Sequence, residues 1–309
     1  MPLREFKSAI IATMILVTGG TGFIGSRVVR QLIHSREEIR ILLRPHRKSP
    51  SLPKNISLDI AVSNMEDERG IRAALRNVDT ILHFATAEHQ GRDADLESVD
   101  VRGTQSLISA AREVGVKNIL FLGRVGADKS SSYPVLRAKA LADEEVRKSE
   151  IPFCTLRLTD VFGINDHFTT EIAAAIRHAP LVLPYPGGGK AIVQPLWIED
   201  LVSVIMLILE TKRFNSEIFE IGGGEFFEFF EIAKKIMRII NKKKLLFQLS
   251  PAYLRIINLW FKPYKGSFPL STRWLDLLAM DRTCPLDSLP RNFAILPGRL
   301  QNHLDYLSG

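Results

Sequence analysis

The stretch "ILVTGGTGFIGSRVV", residues 15–29, decides the fold. An apolar run leads into Gly19, Gly22 and Gly25, and an amphipathic pattern follows them. Glycines allow a tight turn and let backbone N–H groups approach a phosphate, and a helix N-terminus adds donors and a favourable dipole. A strand, a glycine loop and a helix in this order predict a site for the pyrophosphate of a dinucleotide.

The rest of the first half alternates short apolar runs with helical patterns. This alternation is typical of a parallel sheet covered by helices on both faces. The predicted strands cover residues 14–17, 40–43, 56–62, 80–84, 118–122 and 154–158, and the predicted helices cover 23–34, 68–75, 96–114 and 136–148.

The second half is less regular, with a helix predicted from about residue 198 and a strand, a glycine turn and a helix within 217–240. The predicted fold is therefore α/β, a doubly wound parallel sheet (Rossmann fold) with a small, mainly helical C-terminal lobe. Residues 1–13 are predicted to be an N-terminal extension and 14–160 an NAD(P)-binding Rossmann domain. Residues 161–309 are predicted to form a substrate-binding lobe that adds strands to the same sheet.

Composition excludes several classes of function. The 309 residues are 46% hydrophobic and carry a formal net charge of +7. The basic residues form no stripe interleaved with aromatic residues, so we expect no nucleic-acid partner. No HExxH pattern occurs, so we expect no metal site. Cys154 and Cys284 lie in no CxxC motif, which favours a reducing, cytoplasmic location.

Residues 243–262 are a candidate segment for peripheral membrane contact. No apolar run is long enough to span a bilayer, but this segment has cations at both ends and apolar residues between them. The pattern is typical of a helix lying in a membrane interface, and also of a helix buried in the lobe. Its apolar side chains would suit a hydrophobic substrate, or ordinary packing: Leu254, Ile256, Trp260 and Phe261.

The second strand ends at Arg44, with Arg47 and Lys48 close behind. An NAD-preferring site would have Asp or Glu at that point, to bind the ribose hydroxyls. A guanidinium instead suits a 2′-phosphate. The sequence thus favours NADP(H) and leaves NAD(H) open, and Arg47 and Lys48 are equally consistent with solvated surface charges.

Several segments resemble the extended and atypical short-chain dehydrogenases/reductases, the NAD-dependent epimerase/dehydratase-like proteins. They are "TGGTGFIG" (18–25), "NVDTILHFAT" (77–86), "LRLTDVFG" (156–163), "PLWIEDLV" (195–202) and "FEIGGGE" (219–225). The tail at 274–307 is similar to the branch that includes the dehydrogenase-like accessory subunit of respiratory complex I.

The resemblance implies a set of cofactor-binding residues. Asn64 stands where the family has an aspartate that accepts a hydrogen bond from the adenine amino group, and an amide oxygen can do the same. The full set implied is Gly19, Thr21, Gly22, Phe23, Ile24, Gly25, Arg44, Asn64, Ala85 and Lys139.

The resemblance also implies a tyrosine that exchanges a proton with the substrate and a lysine at i+4, on the same helical face. In "SSYPVLRAKALADEEVR", residues 131–147, the downstream pattern matches Lys139 to the family lysine, and the residue one turn earlier is Val135. Tyr133 and Lys139 are the candidate catalytic pair, with Tyr133 swung toward the cleft from the helix start. The alternative register pairs Tyr133 with Arg137, and Tyr133 could also be a loop tyrosine packed at the helix start.

Two further family positions differ. Gly123 stands where the family has its catalytic serine, and Asp100 where it often has an asparagine. Two functions therefore stay open. One is an NADP(H)-dependent reductase of a hydrophobic carbonyl or quinone-like substrate, with Tyr133 or water as the acid. The other is a non-catalytic cofactor-binding protein with a protein partner, acting in assembly, regulation or scaffolding.

Overall fold

A computed structural model of the protein describes residues 14–45, 58–90, 94–179, 181–186, 191–250, 253 and 280–308. The described strands are β1 (Met14–Thr18), β2 (Ile39–Leu43), β3 (Asp59–Val62), β4 (Val78–His83), β5 (Asn118–Arg124), β6 (Phe153–Leu158), β7 (Val161–Phe162), β8 (Val182–Pro186), β9 (Ile192–Val193), β10 (Leu196–Trp197), β11 (Glu217–Ile221), β12 (Phe227–Glu228) and β13 (Leu245–Leu249).

Seven of these strands form one sheet in the order β11-β6-β5-β4-β1-β2-β3. Every pair in it is parallel. The order reverses between β1 and β4, and such a switch point opens a crevice at the carboxyl ends of the strands. The predicted doubly wound α/β fold is confirmed.

Helices cover both faces of the sheet, which explains the nearly continuous apolar runs of its strands. One face carries α1 (Phe23–His34) and α6 (Ile198–Thr211), packed on Ile15 and Val17. The other carries α2 (Glu68–Ala74), α3 (Gly103–Val114) and α4 (Pro134–Lys148), packed around Leu16.

Three element boundaries differ from the prediction in ways that affect the site. A π-helical turn, Glu97–Arg102, leads into α3. Helix α4 begins at Pro134 and not at Leu136, because proline lacks the N–H that a first helical turn leaves unpaired. Strand β5 extends to Arg124, so its last residue is a charged one.

Beyond β6 the chain forms short strand pairs and the helices α5 (Thr169–His178), α7 (Phe229–Ile239) and α8 (Ser288–Phe293). Strands β7 and β10 pair, as do β9 and β12, and β11 joins the central sheet. The division into domains at residue 160 stays a prediction. None of the helices in the described ranges is long and apolar enough to cross a membrane.

The prediction of a helix at the start of 243–262 was wrong for its described part. Residues Leu245–Leu249 form β13, because their backbone pairs with β8 in a parallel register. Other predictions fall outside the described residues: the extension 1–13, Arg47, Lys48, residues 56–57 of the third strand, and Leu254, Ile256, Trp260 and Phe261.

Candidate functional site

A cavity of about 510 Å³ opens at the carboxyl ends of β1, β2 and β4, where the strand order reverses. It is the crevice that the doubly wound topology predicts. Eight of the ten residues predicted to bind a cofactor line it together: Gly19, Thr21, Gly22, Phe23, Ile24, Gly25, Arg44 and Ala85.

Two of the loop glycines have no room for a side chain. Gly19 has a φ of +70°, and a Cβ there would lie 2.7 Å from the backbone nitrogen of Ala85. A Cβ on Gly25 would overlap the carbonyl oxygen of Gly19. The loop therefore folds back on itself and against the end of β4, which leaves the N-terminus of α1 open to the cavity.

The outer end of the cleft continues into a second cavity of about 450 Å³, which contains Asn64. The two cavities share Arg44, which is exposed and follows directly on β2. Among the residues lining either cavity, the acids are Glu66 and Asp67, and Glu66 is already paired with Arg102 at 2.7 Å. Arg44 is thus available to an anionic group at this end.

The inner end of the cleft continues into a third cavity of about 100 Å³. Lys139 lines it, beside Glu88, Arg124 and Asp160.

Tyr133 lines none of these three cavities. It is the N-cap of α4, with φ −87° and ψ 115°, and its N–H donates to the Ser131 hydroxyl at 3.1 Å. The structure does not bring it together with Lys139. The residue one turn before Lys139 is Val135, whose side chain is buried.

The geometry does not support the alternative pairing of Tyr133 with Arg137 either. Arg137 is exposed and donates to the carbonyl oxygen of Ser131 at 3.2 Å, outside the cleft. Lys139, by contrast, is 5% exposed.

Lys139 forms a buried ion pair with Asp100, with 3.0 Å between Nζ and Oδ1. The second carboxylate oxygen of Asp100 accepts a hydrogen bond from the N–H of Ala87 at 2.8 Å. The π-helical turn that carries Asp100 thus connects α4 to the loop after β4, which forms one wall of the cleft.

A histidine lies behind this pair. The hydroxyl of Thr104 donates to the carbonyl oxygen of Asp100 at 2.6 Å, so it accepts from His83 Nε2 at 2.8 Å. His83 Nδ1 then accepts from the hydroxyl of Thr18 at 2.7 Å. Burial, assisted by the charge of Lys139, lowers the pKa of His83 to about 4. The neutral imidazole therefore links β1 to α3 through its hydrogen bonds with Thr18 and Thr104.

Four more buried charges form a chain at the inner end. Arg124 donates to Glu88 at 2.7 Å and to Asp160 at 2.8 Å. The other oxygen of Asp160 accepts from Arg282 Nε at 2.6 Å. Although burial opposes it, the charges of Arg282 and Arg124 lower the pKa of Asp160.

The inner end thus contains as many cations as anions: Lys139, Arg124 and Arg282 against Asp100, Glu88 and Asp160. Every one of these carboxylates is paired with a cation at 3.0 Å or less. The arrangement can bind and orient polar groups.

Most residues of this cluster were not predicted from the sequence. Arg124 at the end of an apolar strand was a local signal, because a charge there must be paired when the strand is buried. No local pattern connects Asp160 to Arg282, which lies 122 residues further along the chain.

Two imidazoles stack beside the cleft. The rings of His89 and His167 lie 4.3 Å apart between centroids and 9° from parallel, and both residues line the first and third cavities. Nδ1 of His167 lies 3.5 Å from Oε1 of Glu171. The neighbouring Asp166 accepts from the N–H of Gly163 at 2.9 Å and from the hydroxyl of Thr169 at 2.6 Å.

Comparison with known families gives a match over residues 15–222 to the NAD dependent epimerase/dehydratase family. Curated relatives include the mitochondrial NADH dehydrogenase [ubiquinone] 1 alpha subcomplex subunit 9. Its Arabidopsis thaliana form is 25% identical over 77% of this chain and 60% of that protein. The Mus musculus form is 24% identical over 96% of this chain and 76% of that protein. This chain therefore spans less than two thirds of the plant relative's length.

A third relative is the photosystem II assembly factor Ycf39 of Synechocystis, which is 22% identical over 89% of this chain and 83% of that protein.

Solved structures with the same fold include UDP-glucose 4-epimerase of Thermus thermophilus in complex with NAD. It has a TM-score of 0.69 and 18% identity, over 96% of this chain and 98% of that one. The dTDP-glucose 4,6-dehydratase DesIV of Streptomyces venezuelae, with NAD bound, has a TM-score of 0.72 and 20% identity, over 96% of each chain. At these identities the likeness is one of fold.

Proposed function

The chain belongs to the NAD dependent epimerase/dehydratase family, and from that premise we propose that it binds NADP(H) without turning it over and acts as an accessory protein. The pyrophosphate would lie on the glycine loop and the N-terminus of α1. The 2′-phosphate would lie at Arg44, and the adenine amino group would donate to the Asn64 side chain. Lys139 would donate to the nicotinamide ribose from the inner cavity.

One observation supports the absence of turnover above the others. The residue one helical turn before Lys139 is Val135, which has no proton to exchange, while Tyr133 caps the helix outside the cleft. The paired carboxylates of Asp100, Glu88 and Asp160 do not replace it. The inner cavity of about 100 Å³ also leaves little room for a substrate beside a nicotinamide.

The names of the relatives support the accessory role. One is a subunit of NADH dehydrogenase and another an assembly factor, so we propose a protein partner for this chain as well. The subunit is described as mitochondrial, and a cytoplasmic location for this chain stays a prediction.

Calorimetry together with a turnover assay tests the proposal. We expect NADPH to bind more tightly than NADH, and bound NADPH to stay reduced in the presence of quinones and aromatic aldehydes. The Gly19→Ala variant is the control, because its blocked loop should abolish binding. Steady NADPH oxidation by the wild type, absent from the control, would show that the protein is a catalyst and refute the proposal.

A reductase of a hydrophobic carbonyl or quinone-like substrate is the second candidate, and one observation favours it. Lys139 and Arg124 both line the inner cavity, so a carbonyl oxygen there would meet two cations. Water would then supply the proton. This candidate requires turnover that is lost in Lys139→Met while NADPH binding remains measurable.

A further inference from the structure

The described part of the chain has a fourth cavity of about 920 Å³, larger than the other three, which shares no lining residue with the cofactor cleft. It lies between α7 and β13, and we call it the α7–β13 groove. Its residues are Tyr185, Glu228, Phe230, Lys234, Met237, Arg238, Asn241, Lys242, Lys243, Lys244, Leu245 and Leu246.

The charge of the groove is strongly one-sided, with five cations against a single acid, Glu228. That acid is already engaged, because it caps α7 by accepting from a backbone N–H of the first turn. Within the described residues, no carboxylate lies in ion-pair distance of Lys234, Arg238 or Lys242. These three cations without a carboxylate partner attract anions.

The helical spacing places this charge beside apolar surface. Phe230, Lys234 and Arg238 follow one another at four-residue intervals, so they share one face of α7. The ammonium group of Lys234 lies 4.6 Å from the centroid of the Phe230 ring.

The rim of the groove is apolar and exposed. Leu245 is 72% exposed and Phe247 56%, both on β13, and Leu181 beside the paired strand β8 is 75% exposed. Exposing such apolar side chains to water is unfavourable in free energy. At a membrane surface the acyl chains would bury them, and the headgroups would contact the adjacent lysines.

We propose that the α7–β13 groove binds an anionic phospholipid at a membrane surface, with the headgroup phosphate between Lys234, Arg238 and Lys242. Leu245 and Phe247 insert among the acyl chains. The site is independent of the cofactor cleft and does not rest on the function proposed for it.

Vesicle flotation tests this site, with phosphatidylcholine vesicles prepared with and without phosphatidylglycerol. We expect the wild-type protein to bind only vesicles that contain phosphatidylglycerol, and to be released as salt is raised. Lys234→Glu/Arg238→Glu should weaken binding by about tenfold or more. Arg30→Glu/Arg69→Glu makes the same charge change on α1 and α2, and should retain clearly more binding.

The apolar rim distinguishes a lipid from a free anion. Leu245→Ser/Phe247→Ser keeps every cation, and we expect it to lose vesicle binding while NADPH binding, as a check of folding, stays intact. Full vesicle binding by this variant, with inorganic phosphate competing at matched ionic strength, would show a site for a soluble anion and overturn the proposal. So would equal binding to both kinds of vesicle.

A second copy of the chain is the other occupant that the test addresses. If the serine variant changes a dimer into a monomer in size-exclusion chromatography and leaves flotation unchanged, the groove is an interface between copies and the lipid proposal fails.

Discussion

Lys139 and Asp100 form an ion pair of 3.0 Å in which both side chains are nearly inaccessible to water. Removing one partner of such a pair leaves the other charge buried and alone. We expect Asp100→Ala to lower the free energy of unfolding by about 3–5 kcal/mol. Urea denaturation measures it.

A double variant measures the interaction energy between Asp100 and Lys139 separately from their other contacts. Asp100→Ala/Lys139→Met should be less destabilised than the sum of the two single variants, because no lone charge remains. Additive effects would show that the two residues do not stabilise one another.

Gly19 and Gly115 provide a matched comparison of two left-handed glycines. Gly115 has a φ of +76°, but a Cβ added to it would have no atom within 4 Å, whereas one added to Gly19 would meet backbone at 2.7 Å. We expect Gly115→Ala to cost only backbone strain, about 1–2 kcal/mol, and to bind NADPH normally. Gly19→Ala should cost more and lose NADPH binding in calorimetry. Equal effects of the two substitutions on binding would contradict this account of the loop.

Arg44 should set the preference between the two dinucleotides. Replacing it by Asp removes a charged donor for the 2′-phosphate and supplies an acceptor for ribose hydroxyls. We expect the affinity for NADPH to fall by roughly 10- to 100-fold and that for NADH to rise. Arg30→Asp, on α1 outside the cleft, is the control. An unchanged ratio of the two dissociation constants would assign the preference to other residues.

His83 should make stability depend on pH. Its pKa is lowered from 6.5 to about 4 in the folded state, so the unfolded chain binds the proton more readily. The stabilisation is therefore fully present above pH 6.5 and is lost as the pH falls toward 4, by about 3 kcal/mol.

The His83→Gln variant should be less stable at neutral pH, because its hydrogen bonds are altered, but flatter between pH 4 and 6.5. His34→Gln replaces an exposed histidine and should keep the wild-type slope. Urea denaturation between pH 4 and 6.5 measures the free energy of unfolding of the wild type and of both variants. A wild-type slope in His83→Gln would place the titrating group elsewhere.

The sequence predicted the sheet and the outer part of the cleft because both depend on local patterns. Apolar runs and the glycine spacing around Gly19 depend on residues close in sequence, and the glycine loop and Arg44 line the same cavity. That these residues bind a cofactor stays a prediction. The inner end depends on contacts between distant segments. Arg124 reaches Glu88 and Asp160, each 36 residues away along the chain.

The position of Tyr133 shows a second limit. Helical spacing alone established that Tyr133 and Lys139 do not share a helical face, but not where a residue before the helix would point. That was determined by Pro134, which starts α4 and leaves Tyr133 as an extended cap residue. Strand β13 was missed because its partner β8 lies about sixty residues earlier.

The pairing of Asp160 with Arg282 has a consequence for the order in which the protein is made. Asp160 lies in the link between β6 and β7 and lines the inner cavity, yet one of its two guanidinium partners is synthesised 122 residues later. A nascent chain can assemble β1 to β6 and the glycine loop early, since domains fold from the N-terminus during synthesis. The ion pair between Asp160 and Arg282 nevertheless cannot form until Arg282 has been synthesised. The complete inner wall therefore exists only in chains that have been translated at least to that residue.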